Sequence, residues 1–166
     1  MTQQLHFCGG CGSEQLSFDG QKEHRCQQCG WIYFGNPAAA AAALLWHDGE
    51  LLMVRRGRDP GKGLLDLPGG FVDPDESAEE ALKRELIEEL NLPLDDFHYV
   101  GSFPNRYLFA SIEYTVVDLV FQATLKSRPI WHDDDELAGL HWCDPKKLRD
   151  EEIAFASVRK YLRALT

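Results

Sequence analysis

The stretch that most restricts what this chain can fold into runs from Gly70 to Leu92, GFVDPDESAEEALKRELIEELNL. It joins a glycine turn to a helix bearing three carboxylates along one side. Glu88 and Glu89 follow Glu85 by three and four residues, so all three side chains project from about one third of the helix circumference. Leu82, Leu86, Ile87 and Leu90 are expected on the opposite, buried side, with only the small Ala78 and Ala81 extending the acidic face. Ser77, followed three residues later by Glu80, has the form of a capping box. Asn91 suits the left-handed residue that ends a helix. Acidic helix faces are more often simply solvated. Here Arg84 is placed to pair with Glu76 or Glu88, and the LPGG turn at 67–70 lets backbone carbonyls approach a cation. Clustered oxygens with an open side suit hydrated magnesium or manganese.

The spacing Gly70, five residues, Glu76, seven residues, then Arg84-Glu85-Leu86-Ile87-Glu88-Glu89 resembles the Nudix hydrolase signature, Gly-x5-Glu-x7-Arg-Glu-U-x-Glu-Glu-x-Gly-U, where U is bulky and aliphatic. Every fixed position matches except Asn91, where the family has Gly, and Asn is the next most tolerant of positive φ. The resemblance implies an α/β fold, an alpha/beta/alpha sandwich with a mixed sheet, and attack of water on a pyrophosphate linkage. It implies Glu85, Glu88 and Glu89 as ligands of Mg2+ or Mn2+, with the carbonyl of Gly69 or Gly70 adding another oxygen. Arg84 would orient a glutamate, and Glu76 would be mainly structural. Many members use an acid from a later loop, and Glu136 has a similar spacing before Trp142. The neighbouring Asp133 to Asp135 read better as a solvated acidic loop.

A second feature lies at the N-terminus, where Cys8-x-x-Cys11-Gly and Cys26-x-x-Cys29-Gly form two knuckles 14 residues apart. Four thiolates in this pattern suit a closed, structural zinc ribbon. Two disulfides or a redox pair compete less well, because the duplicated spacing favours metal. His6 and His24 are the nearest substitute ligands. Cys143, alone near a strand end, reads as a small buried hydrophobe. The expected division is a zinc ribbon over 1–34 and a Nudix hydrolase domain over 38–166, with Gly35-Asn36-Pro37 as the turn between them. A zinc ribbon ahead of a Nudix domain is similar to the arrangement in NADH pyrophosphatases. That group's Ser-Gln-Pro-Trp-Pro-Phe-Pro-like motif finds only a Ser-x-Pro echo here, at Ser102 to Pro104 within GSFPNRYLFASIEY.

The run AAAAAALLW at 38–46 has helical propensity, yet His47-Asp48-Gly49 and the apolar LLMV after it form a hairpin pattern, and the family resemblance favours a strand. Further strands are predicted at 64–72, 98–108, 112–125 and 137–143. Phe155, Val158, Leu162 and Leu165 recur at helical spacing. The chain of 166 residues is long enough for one well-buried core. Its formal charge of -10 argues against non-specific nucleic-acid binding, which needs clustered Lys and Arg. With no apolar run long enough to span a bilayer and no signal-like N-terminus, a cytoplasmic location is expected. A nucleotide-derived small molecule is the expected partner, and a homodimer is compatible with the chain.

Arg55 and Arg56, with Arg58, are candidates for substrate phosphate, against an exposed basic strand edge. Tyr107 and Tyr114, with Phe103 and Phe109, are candidates for stacking on a base, against a place in the core. The expected activity is metal-dependent hydrolysis of a nucleoside diphosphate linked to another moiety, such as NADH or ADP-ribose. A nucleoside triphosphate pyrophosphohydrolase and a non-catalytic nucleotide-binding Nudix module are the alternatives.

Overall fold

The computed structural model describes residues 5–130 and 136–164. Near the N-terminus, β1 (Leu16–Phe18), β2 (Glu23–Cys26) and β3 (Ile32–Phe34) form a three-stranded antiparallel sheet in sequence order. A larger mixed sheet follows, built from β4 (Ala38–His47), β5 (Glu50–Arg56), β8 (His98–Phe109), β9 (Ile112–Thr124) and β10 (Leu137–Cys143) in the order β10-β5-β4-β9-β8. Its two short members are β6 (Leu65–Asp66), paired to β5, and β7 (Gly69–Phe71), paired to β4. The helices are α1 (Ala78–Leu90) and α2 (Ala156–Ala164).

The alanine run is a strand despite its helical propensity. Ala38 to Trp46 pair in parallel with Val116 to Thr124, and this tertiary pairing outweighs the local preference. Asp48 and Gly49 both take positive φ, 49° and 80°, as a two-residue hairpin turn requires. The expected strand at 64–72 is two pieces. Pro68 has no amide to donate, so the ladder breaks between β6 and β7.

That break opens the sheet. β4 and β5 pair only beside their turn, at Trp46 with Leu51 and His47 with Glu50. Beyond it the two strands part, β7 taking β4's free edge and β6 taking β5's. The sheet separates two cores. Ala41, Ala43, Leu45, Leu52 and Val54 pack with Leu82, Leu86 and Leu90 of α1. Leu44, Leu51, Met53 and Val120 pack with Val158, Tyr161 and Leu162 of α2. Leu165 lies outside the described residues.

Candidate active site

Helix α1 starts as its sequence indicates. Glu80 donates its amide to the Ser77 hydroxyl and its carboxylate accepts the Ser77 amide at 2.8 Å. Asn91 ends it in the left-handed conformation, φ 48° and ψ 38°. The expected faces need one correction. Ile87 is 49% exposed, while Ala81 is fully buried beside Leu82 and Leu86. At 100° per residue Glu89 lies only about 20° from Leu82, so it belongs to the inward side, and Ile87 at about 140° does not.

Glu89 and Glu85 therefore point inward at the parting of the strands, while Glu88 sits exposed at the rim. There they line a cleft of about 370 Å³, together with Gly69, Gly70, Arg84 and Glu136. Glu89 accepts a hydrogen bond from the Gly69 amide at 2.9 Å, and burial pushes its carboxyl well above the usual range, with Glu85, Asp66 and Glu136 adding repulsion. Burial also raises Glu85, and Arg84 opposes that rise. Arg84 donates to Glu76 at 2.9 and 3.0 Å, to Glu85 at 2.8 Å, to Glu88 at 3.1 Å and to the Phe71 carbonyl at 3.0 Å. Both expected partners, Glu76 and Glu88, are thus engaged, and Glu76 is held low by the guanidinium. A Cβ added to Gly70 would lie 2.2 Å from Glu85 Oε1, so only glycine lets that carboxylate seat itself.

Across the cleft, Arg58 pairs with Glu136 at 2.6 Å, and the Gly57 amide donates to the Glu136 carbonyl at 2.7 Å. Asp133 to Asp135 lie outside the described residues. Arg56 and Tyr107 line the cleft, whereas Arg55 and Tyr114 do not. Arg55 donates instead to the Gly63 carbonyl at 2.6 Å. Phe103 packs against Tyr161 at a tilt, with ring centroids 4.2 Å apart, and Phe109 is exposed beside the β8–β9 turn. The cleft also brings in residues the sequence reading missed: Asp66, Phe71, Asp118, Phe155 and Tyr161. Asp118 had a signal, as the lone charge inside the apolar run TVVDLVF.

The four N-terminal cysteines converge, all four sulfurs lying within 4.8 Å of one another. Among the described residues they are the one group of three or more His, Cys, Asp or Glu side chains gathered so closely. Cys8 and Cys29 are 3.7 Å apart, and Cys11 and Cys26 3.8 Å. A disulfide needs about 2 Å. A tetrahedron with metal–sulfur bonds of about 2.3 Å has edges of about 3.8 Å, so the four sulfurs fit a metal ion. Amides of Cys29 and Gln28 lower Cys26 to about 7, which favours the ligating thiolate. His24 stays apart, accepting the Leu5 amide at 3.3 Å and stacked on Phe18. Cys143 is half-buried in the second core, its thiol pushed up to about 11 by burial.

A family model, the NUDIX domain, matches residues 35–165. The NAD-capped RNA hydrolase NudC of Pseudomonas aeruginosa is 28% identical over 140 residues, covering 82% of this chain and 46% of the relative. The chain thus spans about half the length of the curated relatives it matches. Among solved structures, a MutT NUDIX hydrolase from Burkholderia pseudomallei is 27% identical with a TM-score of 0.67, covering 79% of this chain and 99% of that one. The NUDIX domain of Shewanella oneidensis NrtR, solved with ADP ribose, shares the fold at 23% identity and a TM-score of 0.62, covering 80% of this chain and 91% of its own. With the domain match spanning most of its length and the signature lining the cleft, the chain belongs to the Nudix hydrolase family.

Proposed function

We propose that this protein is a metal-dependent pyrophosphohydrolase cleaving the diphosphate of a nucleoside diphosphate linked to a second moiety, with NADH, NAD and ADP-ribose as the substrate class. The observation that carries the reading is Glu89. It is a buried carboxyl with one hydrogen bond, from the Gly69 amide, and three acidic neighbours. Such a group is stabilised by a bound cation, and its ionised form is a strong proton acceptor. Glu85, Glu88 and Glu89, with the Gly70 carbonyl, would hold Mg2+ or Mn2+. When bound, the metal supplies Lewis-acid stabilisation of phosphate oxygens and a more acidic water. Arg84 keeps Glu85 and Glu88 in place, and Glu89 or Glu136 takes the proton of the attacking water. Arg56, Arg58 and Tyr107 would contact substrate. The names of the NudC relative and of the ADP-ribose complex support a dinucleotide-like substrate.

The four cysteines would hold a structural zinc ion, in a ribbon over 1–34 ahead of a catalytic unit over 38–166. No helix among the described residues is long and apolar enough to cross a membrane, and the reading places the protein in the cytoplasm. The test is product chromatography with Mg2+ or Mn2+ against NADH, NAD, ADP-ribose, nucleotide sugars and nucleoside triphosphates. Two monophosphates from a diphosphate-linked compound support the proposal. Pyrophosphate released from triphosphates would replace it with the triphosphatase reading, and silence across the panel would favour a binding module.

A further inference from the structure

The cleft has a second wall that the hydrolytic chemistry does not use. Because β4 and β5 part, the opening is shared by side chains from both faces of the sheet. On the side of α2 stands Asp118, 7% exposed and lining the cleft. Its Oδ2 accepts the Tyr161 hydroxyl, and among the described residues no cation pairs with it. The Arg56 guanidinium, which also lines the cleft, is spent on Asp66 at 2.9 Å and on the Pro60 carbonyl at 2.6 Å. With the Tyr161 hydroxyl as its donor, this carboxylate keeps acceptor capacity toward the cleft.

The same cleft carries an aromatic wall. Tyr107 meets Phe71 edge-on at 5.4 Å and Phe155 at 5.7 Å, and all three line the cleft. Arg56 lies over the outer ring, 5.0 Å from the Phe155 centroid. An aromatic wall and a carboxylate acceptor open to the same cleft fit a planar ligand that carries an N–H donor. A phosphate is a poor fit, since the carboxylates would repel it. Phosphate belongs toward Arg58 and the cation-holding glutamates.

We infer that Asp118 and the Tyr107–Phe155 wall form the nucleobase pocket, and that Asp118 selects a base bearing an exocyclic amino group. The inference rests on the proposed nucleoside-diphosphate substrate and assigns which end of it lies where. Tyr161 is a positioning residue: its hydroxyl fixes the Asp118 rotamer, while its own ring is held by Phe103.

The test is equilibrium binding of AMP against purine riboside monophosphate, which lacks only the amino group, read by calorimetry on the full chain. A hydrogen bond to a charged acceptor contributes about 1.5–3 kcal/mol, so AMP should bind about 10- to 150-fold more tightly. Asp118→Ala should bring the ratio below about threefold, and Tyr161→Phe, which preserves the ring, should lower it partially. Equal binding of the two nucleotides by the unaltered protein overturns the inference, as does an unchanged ratio in a folded Asp118→Ala variant. Discrimination that follows the ribose hydroxyls, tested with 2′-deoxy-AMP, also overturns it, because the carboxylate would then read the sugar. If AMP selection holds while ADP-ribose and NADH are not cleaved, the pocket stands and the proposed reaction fails.

Discussion

Glu89 Oε2 and the Gly69 amide meet at 2.9 Å, which ties the last turn of α1 to the glycine strand β7. Glu89→Gln keeps an acceptor for that amide and removes a charge that burial and three acidic neighbours oppose. Turnover should fall at least about 100-fold. The melting temperature near neutral pH should hold or rise. A drop of more than about 5 °C would assign Glu89 to the framework rather than the chemistry.

Gly69 and Gly70 should fail differently. At Gly70 an added Cβ strikes the Glu85 carboxylate, so Gly70→Ala should cost roughly 100-fold in kcat with a modest change in stability, since displaced catalytic groups are expensive. At Gly69, where φ is 134°, the Cβ would sit 2.1 Å from the Ala41 carbonyl oxygen. Gly69→Ala should therefore unfold in markedly less denaturant. Paired kinetics and urea titrations of the two variants check the contrast.

Asp66 gives stability a pH dependence. Burial raises its carboxyl from 3.8 to about 6, against the pull of Arg56. The folded state thus holds the proton more tightly than the unfolded chain. The associated stability is fully present below about pH 3.8 and is lost as pH rises through about 6, on the order of 3 kcal/mol. Urea unfolding between pH 4 and 7 should show wild-type stability falling relative to Asp66→Asn across that window. Parallel curves would remove Asp66 as the cause.

Loss of the cysteine-held metal should act on the N-terminal sheet alone. Cys26→Ser should release zinc and let amides of residues 5–34 exchange freely. Residues 38–164 should keep their protection and the protein its turnover. Loss of protection throughout the chain would merge the two units into one.

Much of the cleft was legible in the sequence because local rules govern it. The capping box, the left-handed Asn91 and the grouping of Glu85, Glu88 and Glu89 all depend on residues within a turn or two of each other. What was hidden depends on long-range pairing. The burial of Glu89 follows from how α1 is rolled onto the sheet, and the alanine strand from its parallel partner β9. The separation of Arg55 from Arg56 is the alternation of one strand, placed only once its register against β6 is known. Asp118 and Tyr161 lie 43 residues apart and no motif joins them.

The parting of β4 from β5 has an evolutionary consequence. One wall of the slot hangs from α1 and the other from α2 and the β8–β9 hairpin, and each is anchored in its own core. On the inferred placement of the base, changes on the α2 side would retune what is grasped without disturbing the proposed hydrolytic residues. A lineage with this architecture can diversify its diet while inheriting its scissors intact.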